Sequence, residues 1–469
     1  MIYINLDNQD YYDDALVLVK SFYPGEGVAA GPGKKEITDV VITPVVPPDD
    51  GKGKSQLHDE FKAGLYHQLS EATGRALPWG KLTGVRPSKL AMKLLDAGST
   101  DDEVLGAFME DNFVTEGKAR LALEVAHRER ELLSGLDCWN GYSLYIGIPF
   151  CPTTCLYCSF TSYSIREWRD KVDDYLGALS REMRHVAGRL RGRRLDTVYI
   201  GGGTPTTLEP YQLDRLLTEL EDCFPVGDCL ELTVEAGRPD SITREKLEVL
   251  RSHNVGRISI NPQTMNQDTL DLIGRKHTVG QVREAFFLAR ECGFDNINMD
   301  IILGLPGEDE AKVHNTLREI GELHPDSLTV HSLAIKRAAA LNLWKDEHRA
   351  YAFHNTDEII RASAECAKGM GMEPYYMYRQ KNMAGNFENV GYAVPSKECV
   401  YNILIMEERQ SIIALGAGAS TKLCFPDGDS VRIERIENVK SVRDYILRID
   451  EMLGRKDGSL FNGWLSQGK

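Results

Sequence analysis

Long apolar runs are missing from this chain of 469 residues, and none reaches the length that spans a bilayer, so no membrane insertion is expected. Cysteine is sparse; ten in all do not make a disulfide-built framework. A second C-x2-C pair, with which structural zinc sites usually complete four ligands, is also absent. Cys223 and Cys229 are six apart, and Cys138, Cys292, Cys366, Cys399 and Cys424 stand alone. Positive charge is short: 55 Lys and Arg face 70 Asp and Glu, a net charge of −15. Binding that rests on neutralising phosphates is therefore not expected of the molecule as a whole, nor is a nucleic acid partner. The first residues, MIYINLDNQD, are acidic and do not follow the basic-then-apolar order of a secretion signal, so a reducing, cytoplasmic setting is expected.

What the chain does have is a cysteine triplet. Cys151, Cys155 and Cys158 fall in GYSLYIGIPFCPTTCLYCSF, spaced C-x3-C-x2-C behind the strand-like stretch Ser143–Ile148. Three soft thiolates suit an iron–sulfur cluster. A cubane has four irons, so three thiolates leave one iron open to a small molecule, which is a catalyst's arrangement rather than an electron carrier's. Zinc is the alternative, and it lacks its fourth ligand here. The spacing resembles that of the radical S-adenosylmethionine enzymes. That resemblance implies a 4Fe-4S cluster whose open iron is chelated by the amino and carboxylate groups of S-adenosylmethionine.

The length suggests two or three domains. Residues 1–137 read as an N-terminal α+β accessory domain, 138–371 as the core and 372–469 as a C-terminal extension. In the first, MIYINL and TDVVITPV read as strands and VPPDDGKGKS as a loop. Helices are expected over Leu57–Glu71, Ser88–Asp96, Asp101–Glu110 and Glu116–Leu133. The run PWGKLTGVRPSK (Pro78–Lys89) reads as a connector. In the core, six apolar strands (SLYIGI, DTVYIGG, LELTVEAG, RISINPQ, INMDIILG, DSLTVHSL) alternate with helical patterns, which predicts a parallel sheet with right-handed crossovers. Six is short of the eight of a closed barrel, and functional residues are expected at the C-terminal ends of the strands. In the extension, EPYYMYRQKN, YNILIMEE and SIIALGAGAS read as strands or turns, followed by a helix over Val439–Leu453.

Four further motifs carry chemistry. Gly201–Thr206 (GGGTPT) directly follows DTVYI. Its glycines let backbone N–H groups approach a ligand, or simply make a tight turn. Glu235 ends LELTVEAG and can accept hydrogen bonds from ribose hydroxyls, or be a solvated strand-end charge. Gln263 and Arg275 pair an amide with a guanidinium that binds carboxylates bidentately, unless both are ordinary polar loop residues. Asp300 stands in an apolar strand, NINMDIILG, where an acid is costly unless paired.

Together the runs YIGIPFC, CLYC, GGGTPT, VEAGRPD, INPQTMN, IGRKHT, MDIILGLPGE and LTVHSLAI resemble the oxygen-independent coproporphyrinogen III oxidase (coproporphyrinogen dehydrogenase) group and its heme-chaperone relatives. The long N-terminal unit and YRQKNMAGNFENVGY resemble its HemZ-type branch. The resemblance implies an α/β fold, an incomplete (β/α)6 radical-SAM barrel with an accessory domain before it and an oxidase-like extension after it. It implies that Tyr145, Gly202 and Glu235 contact the cluster-bound S-adenosylmethionine. Tyr157, Gly203, Thr204, Gln263, Arg275, Asp300 and Ala334 match a second S-adenosylmethionine site. A tetrapyrrole substrate follows, with Arg275, Lys336, Arg337, Arg379 and Lys381 as candidates to hold propionates, and with a reducing partner such as flavodoxin or ferredoxin. The implied reaction is anaerobic oxidative decarboxylation of coproporphyrinogen III to protoporphyrinogen IX by a 5′-deoxyadenosyl radical. The alternatives are a heme-delivering chaperone or another radical enzyme of tetrapyrroles. Two positions depart from the oxidase pattern: Phe160 replaces a cysteine, as in the chaperones, and Gly147 replaces a histidine.

Overall fold

The computed structural model describes residues 1–24, 26–33, 40–83, 86–159, 162–334, 341, 355–380, 387–428 and 430–467. The chain opens with a small parallel sheet in which β1 (Ile2–Asn5) lies between β2 (Val28–Gly31) and β3 (Val40–Ile42). Helices Tyr12–Phe22 and Lys54–Thr73 turn Leu18, Phe22, Phe61 and Leu65 onto it, making an apolar core of its own that ends at Leu77. β2 was not expected from the sequence. Helices Pro87–Asp96 and Glu116–Leu133 behave differently. Their buried faces, Ala91 and Leu95 and Ala122 and Ala126, join the same apolar core as the central sheet.

The central strands are β4 (Gly141–Ile148), β7 (Arg194–Gly202), β8 (Glu231–Gly237), β9 (Arg257–Ile260), β10 (Ile297–Leu303) and β11 (Ser327–Ser332), with a two-residue pair, β5 (Phe150–Cys151) and β6 (Tyr163–Ser164), between the first two. They are the six strands expected, each parallel to the next in chain order. The strands alternate: Leu232, Val234, Ile258, Ile260, Met299 and Ile301 join the apolar core, whereas Glu235, Arg257, Asn298, Asp300 and Thr329 line the interior cavity. The ladder is open, and the C-terminal extension continues it at both edges. β13 (Asn389–Ala393) adds antiparallel beside β11, and β12 (Glu373–Tyr378) antiparallel beside β13. β14 (Ser411–Leu415) adds parallel beside β4, followed by the antiparallel β15 (Ser420–Asp427) and β16 (Ser430–Glu437).

Two expectations for the extension are corrected. YNILIMEE lies in a helix, Val400–Glu407, not a strand or turn. The run is apolar on every side, so its period could not choose between the two. The final helix is broken at Arg448 into Val442–Leu447 and Ile449–Lys456, and a further helix, Ser459–Ser466, follows. Among the described residues no helix is long and apolar enough to cross a membrane.

Candidate active site

The three cysteines and the ten residues expected at S-adenosylmethionine line one cavity of about 590 Å³ inside the open barrel. Phe160 lies outside the described residues.

The cysteine loop is held from three sides. Cys151 ends β5, and Cys158 N–H donates to Cys155 O at 3.1 Å, closing the turn. The glycine run packs directly against it. Gly203 N–H donates to Ile148 O at 2.8 Å and Thr204 N–H to Phe150 O at 2.7 Å. A Cβ on Gly203 would stand 2.5 Å from Phe150 O, and Gly202 has φ +104°, so glycine is needed at both positions. On the far side Arg238 donates to both oxygens of Asp240, at 3.0 and 2.6 Å, and to Thr153 Oγ1 within the loop. Below, Leu156 N–H donates to Ile273 O at 3.0 Å, next to the turn that carries Arg275.

Thr204 Oγ1 lies 3.6 Å from Cys151 Sγ. Burial pushes the Cys151 thiol up to about 11 against that hydrogen bond, and Cys155 and Cys158 add to the rise. A thiolate so placed needs adjacent metal charge to form. Among the described residues no three His, Cys, Asp or Glu side chains converge as they would on a single ion. Three soft thiolates with no hard ligand and no fourth cysteine beside them in the loop would suit a cluster better than zinc.

Glu235, in β8, faces Tyr199 of β7, whose hydroxyl donates to Oε1 at 2.7 Å. Burial pushes the Glu235 carboxyl up to about 7 against that bond; Asp300 raises it further, while Gly202 N–H and Arg257 oppose the rise. Gln263 takes φ +68°, a left-handed conformation rare for a side chain of its size. It is fixed there by its N–H to Asp300 O, 3.0 Å, and by Ile302 N–H to its own carbonyl, 2.9 Å. Arg275 donates from Nε to Tyr157 Oη at 3.2 Å and from Nη1 to Asn261 O. Asp300 accepts from Asn298 Nδ2 at 2.7 Å. Burial works against its charge, but His331, with Nε2 at 3.8 Å, holds the carboxyl below the usual range. That separation is an electrostatic contact rather than a hydrogen bond.

Several lining groups were not anticipated. Tyr199 and Tyr401 stack with centroids 4.6 Å apart, Tyr145 lies 6.4 Å from Tyr199, and Tyr376 and Tyr378 form a second parallel pair at 6.4 Å. Tyr401 comes from the helix misread as extended chain, so no motif pointed to it. Arg238 and His331 were within quoted runs, VEAGRPD and LTVHSLAI; for His331 a polar residue in an otherwise strand-like run was the available signal. Of the propionate candidates, Arg275 lines the cavity. Arg379 points away, its Nη1 donating to Leu82 O at 2.8 Å and its guanidinium 5.2 Å from the Trp79 ring. Lys336, Arg337 and Lys381 lie outside the described residues. At Gly147 an added Cβ would meet Leu415 O of β14 at 3.4 Å, an ordinary van der Waals contact.

The open parallel barrel with a cysteine loop at its mouth defines a class, and the comparisons agree. Residues 145–320 match the family model of the Radical SAM superfamily. The chain is 41% identical over 399 residues to the oxygen-independent coproporphyrinogen-III oxidase-like protein HemZ of Bacillus subtilis, covering 84% of this chain and 79% of that protein. It is 38% identical over 195 residues to heme chaperone HemW of the same organism, covering 41% of this chain and 51% of the chaperone. Among solved structures, coproporphyrinogen III oxidase (HemN) from Escherichia coli, a radical SAM enzyme, superposes with a TM-score of 0.55 at 25% identity, over 69% of this chain and 73% of that one. Within the radical SAM superfamily, this chain belongs to the family of the HemZ-type oxygen-independent coproporphyrinogen-III oxidase-like proteins.

Proposed function

We propose that this protein is a radical S-adenosylmethionine oxidoreductase that decarboxylates coproporphyrinogen III to protoporphyrinogen IX without oxygen. The convergence of the cysteine triplet, the glycine run and Glu235 on one tyrosine-walled cavity carries this reading. Cys151, Cys155 and Cys158 would hold a 4Fe-4S cluster, which when bound supplies the electron that cleaves S-adenosylmethionine. The chain's own residues then have definite tasks. Glu235 accepts ribose hydroxyls, and Tyr145 and the Gly202 backbone bound the nucleoside beside it. Tyr157, Gly203, Thr204, Gln263, Arg275, Asp300 and Ala334 form a second polar wall, suited to a further S-adenosylmethionine. The stacked tyrosines give a flat, water-excluding surface against which a macrocycle rests. The setting is the cytoplasm, and a flavodoxin or ferredoxin is the reducing partner.

The test is anaerobic turnover of coproporphyrinogen III by cluster-reconstituted protein, read by product mass. Successive losses of carbon dioxide with formation of vinyl groups are expected. Heme binding with no vinyl product would assign the chain to heme delivery instead, the role named for the chaperone relative.

A further inference from the structure

Deep in the barrel lies a guanidinium with no carboxylate in salt-bridge contact among the described residues; Glu231 and Glu235 act on it only through space. Arg257 is the first residue of β9 and is 2% exposed, yet it lines the cavity. Its Nη2 donates to Ser327 Oγ at 3.0 Å, and its Nε has no partner among the described residues. The other two cavity guanidiniums are engaged, Arg238 with Asp240 and Thr153, Arg275 with Tyr157 and Asn261. The nearby acids are also taken. Glu231 accepts Val400 N–H at 2.7 Å and Thr233 Oγ1 at 3.0 Å, and Glu235 accepts Tyr199. A guanidinium does not shed its proton, and a charge held in a dry interior without a direct ion pair is expensive, even with Glu231 supporting it from a distance. Such a group, kept at a cavity wall with a donor to spare, is a receptor for an anion, and its planar fork matches a carboxylate.

We propose that Arg257 is the docking point for a carboxylate arm of the substrate, a propionate of the tetrapyrrole. This rests on the function proposed above and deepens it. Two molecules in that reading carry carboxylates. The one on S-adenosylmethionine belongs with the cysteine loop, beyond the C-terminal ends of the strands. Arg257 stands at the opposite, N-terminal end of β9, in register with Thr233, a level below the pair Glu235 and Ser259. The arm that reaches it is one that extends past the nucleoside toward the barrel floor.

The experiment is a fluorescence titration of full-length, cluster-loaded protein with coproporphyrin III and, separately, its tetramethyl ester, alongside equilibrium binding of S-adenosylmethionine. The wild type should prefer the tetra-acid by about tenfold or more, the usual cost of losing a hydrogen bond to a charged group. Arg257→Gln should lose most of that preference while keeping its iron content and its S-adenosylmethionine affinity. Arg257→Lys, which keeps the charge but not the fork, should fall between. A preference unchanged in Arg257→Gln overturns the proposal, as does equal weakening of acid and ester. Loss of S-adenosylmethionine affinity with the acid preference intact assigns the carboxylate to S-adenosylmethionine and likewise overturns it. Should Arg257→Gln fail to hold its cluster, the wild-type ratio decides, since a wild type indifferent to esterification sinks the docking point. A wild type that binds neither porphyrin overturns the tetrapyrrole reading itself, and the Arg257 proposal with it; one that binds both equally overturns the Arg257 proposal alone.

Discussion

Glu235 shows how one side chain is tuned by where its strand ends. Its carboxyl, raised to about 7 mainly by burial, holds its proton in the folded protein over a range where the unfolded chain has released it. Between the unfolded value near 4.5 and the folded value near 7, the native state binds more protons than the unfolded state, so stability falls as pH rises through this window. Glu235→Gln, which cannot ionise, should therefore gain in thermal midpoint relative to the wild type as pH goes from about 5 to about 8. Parallel midpoint curves for the two proteins would remove the buried-carboxyl account. Glu235→Ala should weaken S-adenosylmethionine about tenfold with iron unchanged, as loss of a hydrogen bond to a charged group does. The cysteines give the sharper contrast. Anaerobically purified protein should carry about four irons per chain. Cys155→Ala should lose them. Cys292→Ala, whose thiol lies near Arg244 and Glu248 at the end of helix Val279–Glu291, should keep them. Brown, iron-replete Cys155→Ala would end the cluster assignment.

Among the elements, the glycine run after β7 is what brings the cysteine loop to the barrel. Gly203 has an ordinary φ, so its requirement is space alone. An added methyl would meet Phe150 O at 2.5 Å and Ile148 O at 2.8 Å, both backbone atoms that cannot swing away. Gly203→Ala should push β5 and its Cys151 outward, at an overpacking cost of about 1–3 kcal/mol, and lower the iron per chain. Gly280→Ala, where the nearest atom is Thr278 Oγ1 at 3.6 Å in a helix, should retain full iron. Equal iron in both variants would show that the loop tolerates the shift. The helix starts also serve the site. Thr278 caps Val279–Glu291 through a reciprocal pair with Gln281, which fixes the turn from Arg275 to Thr278 just ahead of it.

Over the whole molecule, segments remote in sequence hold the barrel from both edges. The run PWGKLTGVRPSK, read as a connector, plants Trp79 in the core. Trp79 Nε1 donates to Glu388 Oε2 at 2.7 Å, while Lys118 pairs with the other oxygen of Glu388 at 2.5 Å. Glu388 is next to Asn389, a cavity residue, so the accessory helices back the wall formed by β12 and β13. At the other edge Glu182 and Lys456 form a fully buried ion pair at 2.5 Å. Glu182 also accepts Gly416 N–H at 2.9 Å and Tyr445 Oη at 2.6 Å, pinning the end of β14 and the last helices to helix Val172–Arg189. Lys456→Met strands a carboxylate in a dry site and should destabilise by about 3–5 kcal/mol. Adding Glu182→Gln should recover part of that loss, since the uncompensated charge is then gone. Additive losses in a denaturant-based double-mutant cycle would mean the two residues do not act as a pair.

The sequence by itself determined the chemistry and the frame that carries it. The cysteine spacing, the glycines and the six strands are encoded within short windows, where the backbone's own geometry decides what neighbours can do. Cys151, Cys155 and Cys158 must share a loop because so few residues separate them. Glu235 and Asp300 were legible because each breaks an apolar strand where a parallel barrel exposes its interior end, and Gln263 because it follows such a strand. Only the tertiary structure decided what completes the cavity. Tyr199 and Tyr401 are 202 positions apart and meet because the Val400–Glu407 helix packs beneath the barrel mouth. Arg257 reads in sequence as the polar start of an ordinary strand, and only the lack of a carboxylate bonded to it in space marks it out. The same holds for the enclosing edges: β14 lies beside β4, and β13 beside β11, through contacts between residues distant in the chain. Periodicity records which face of an element is buried, but not which other element buries it, and that pairing places the tyrosines, Arg257 and the two edge clasps around the cysteine loop.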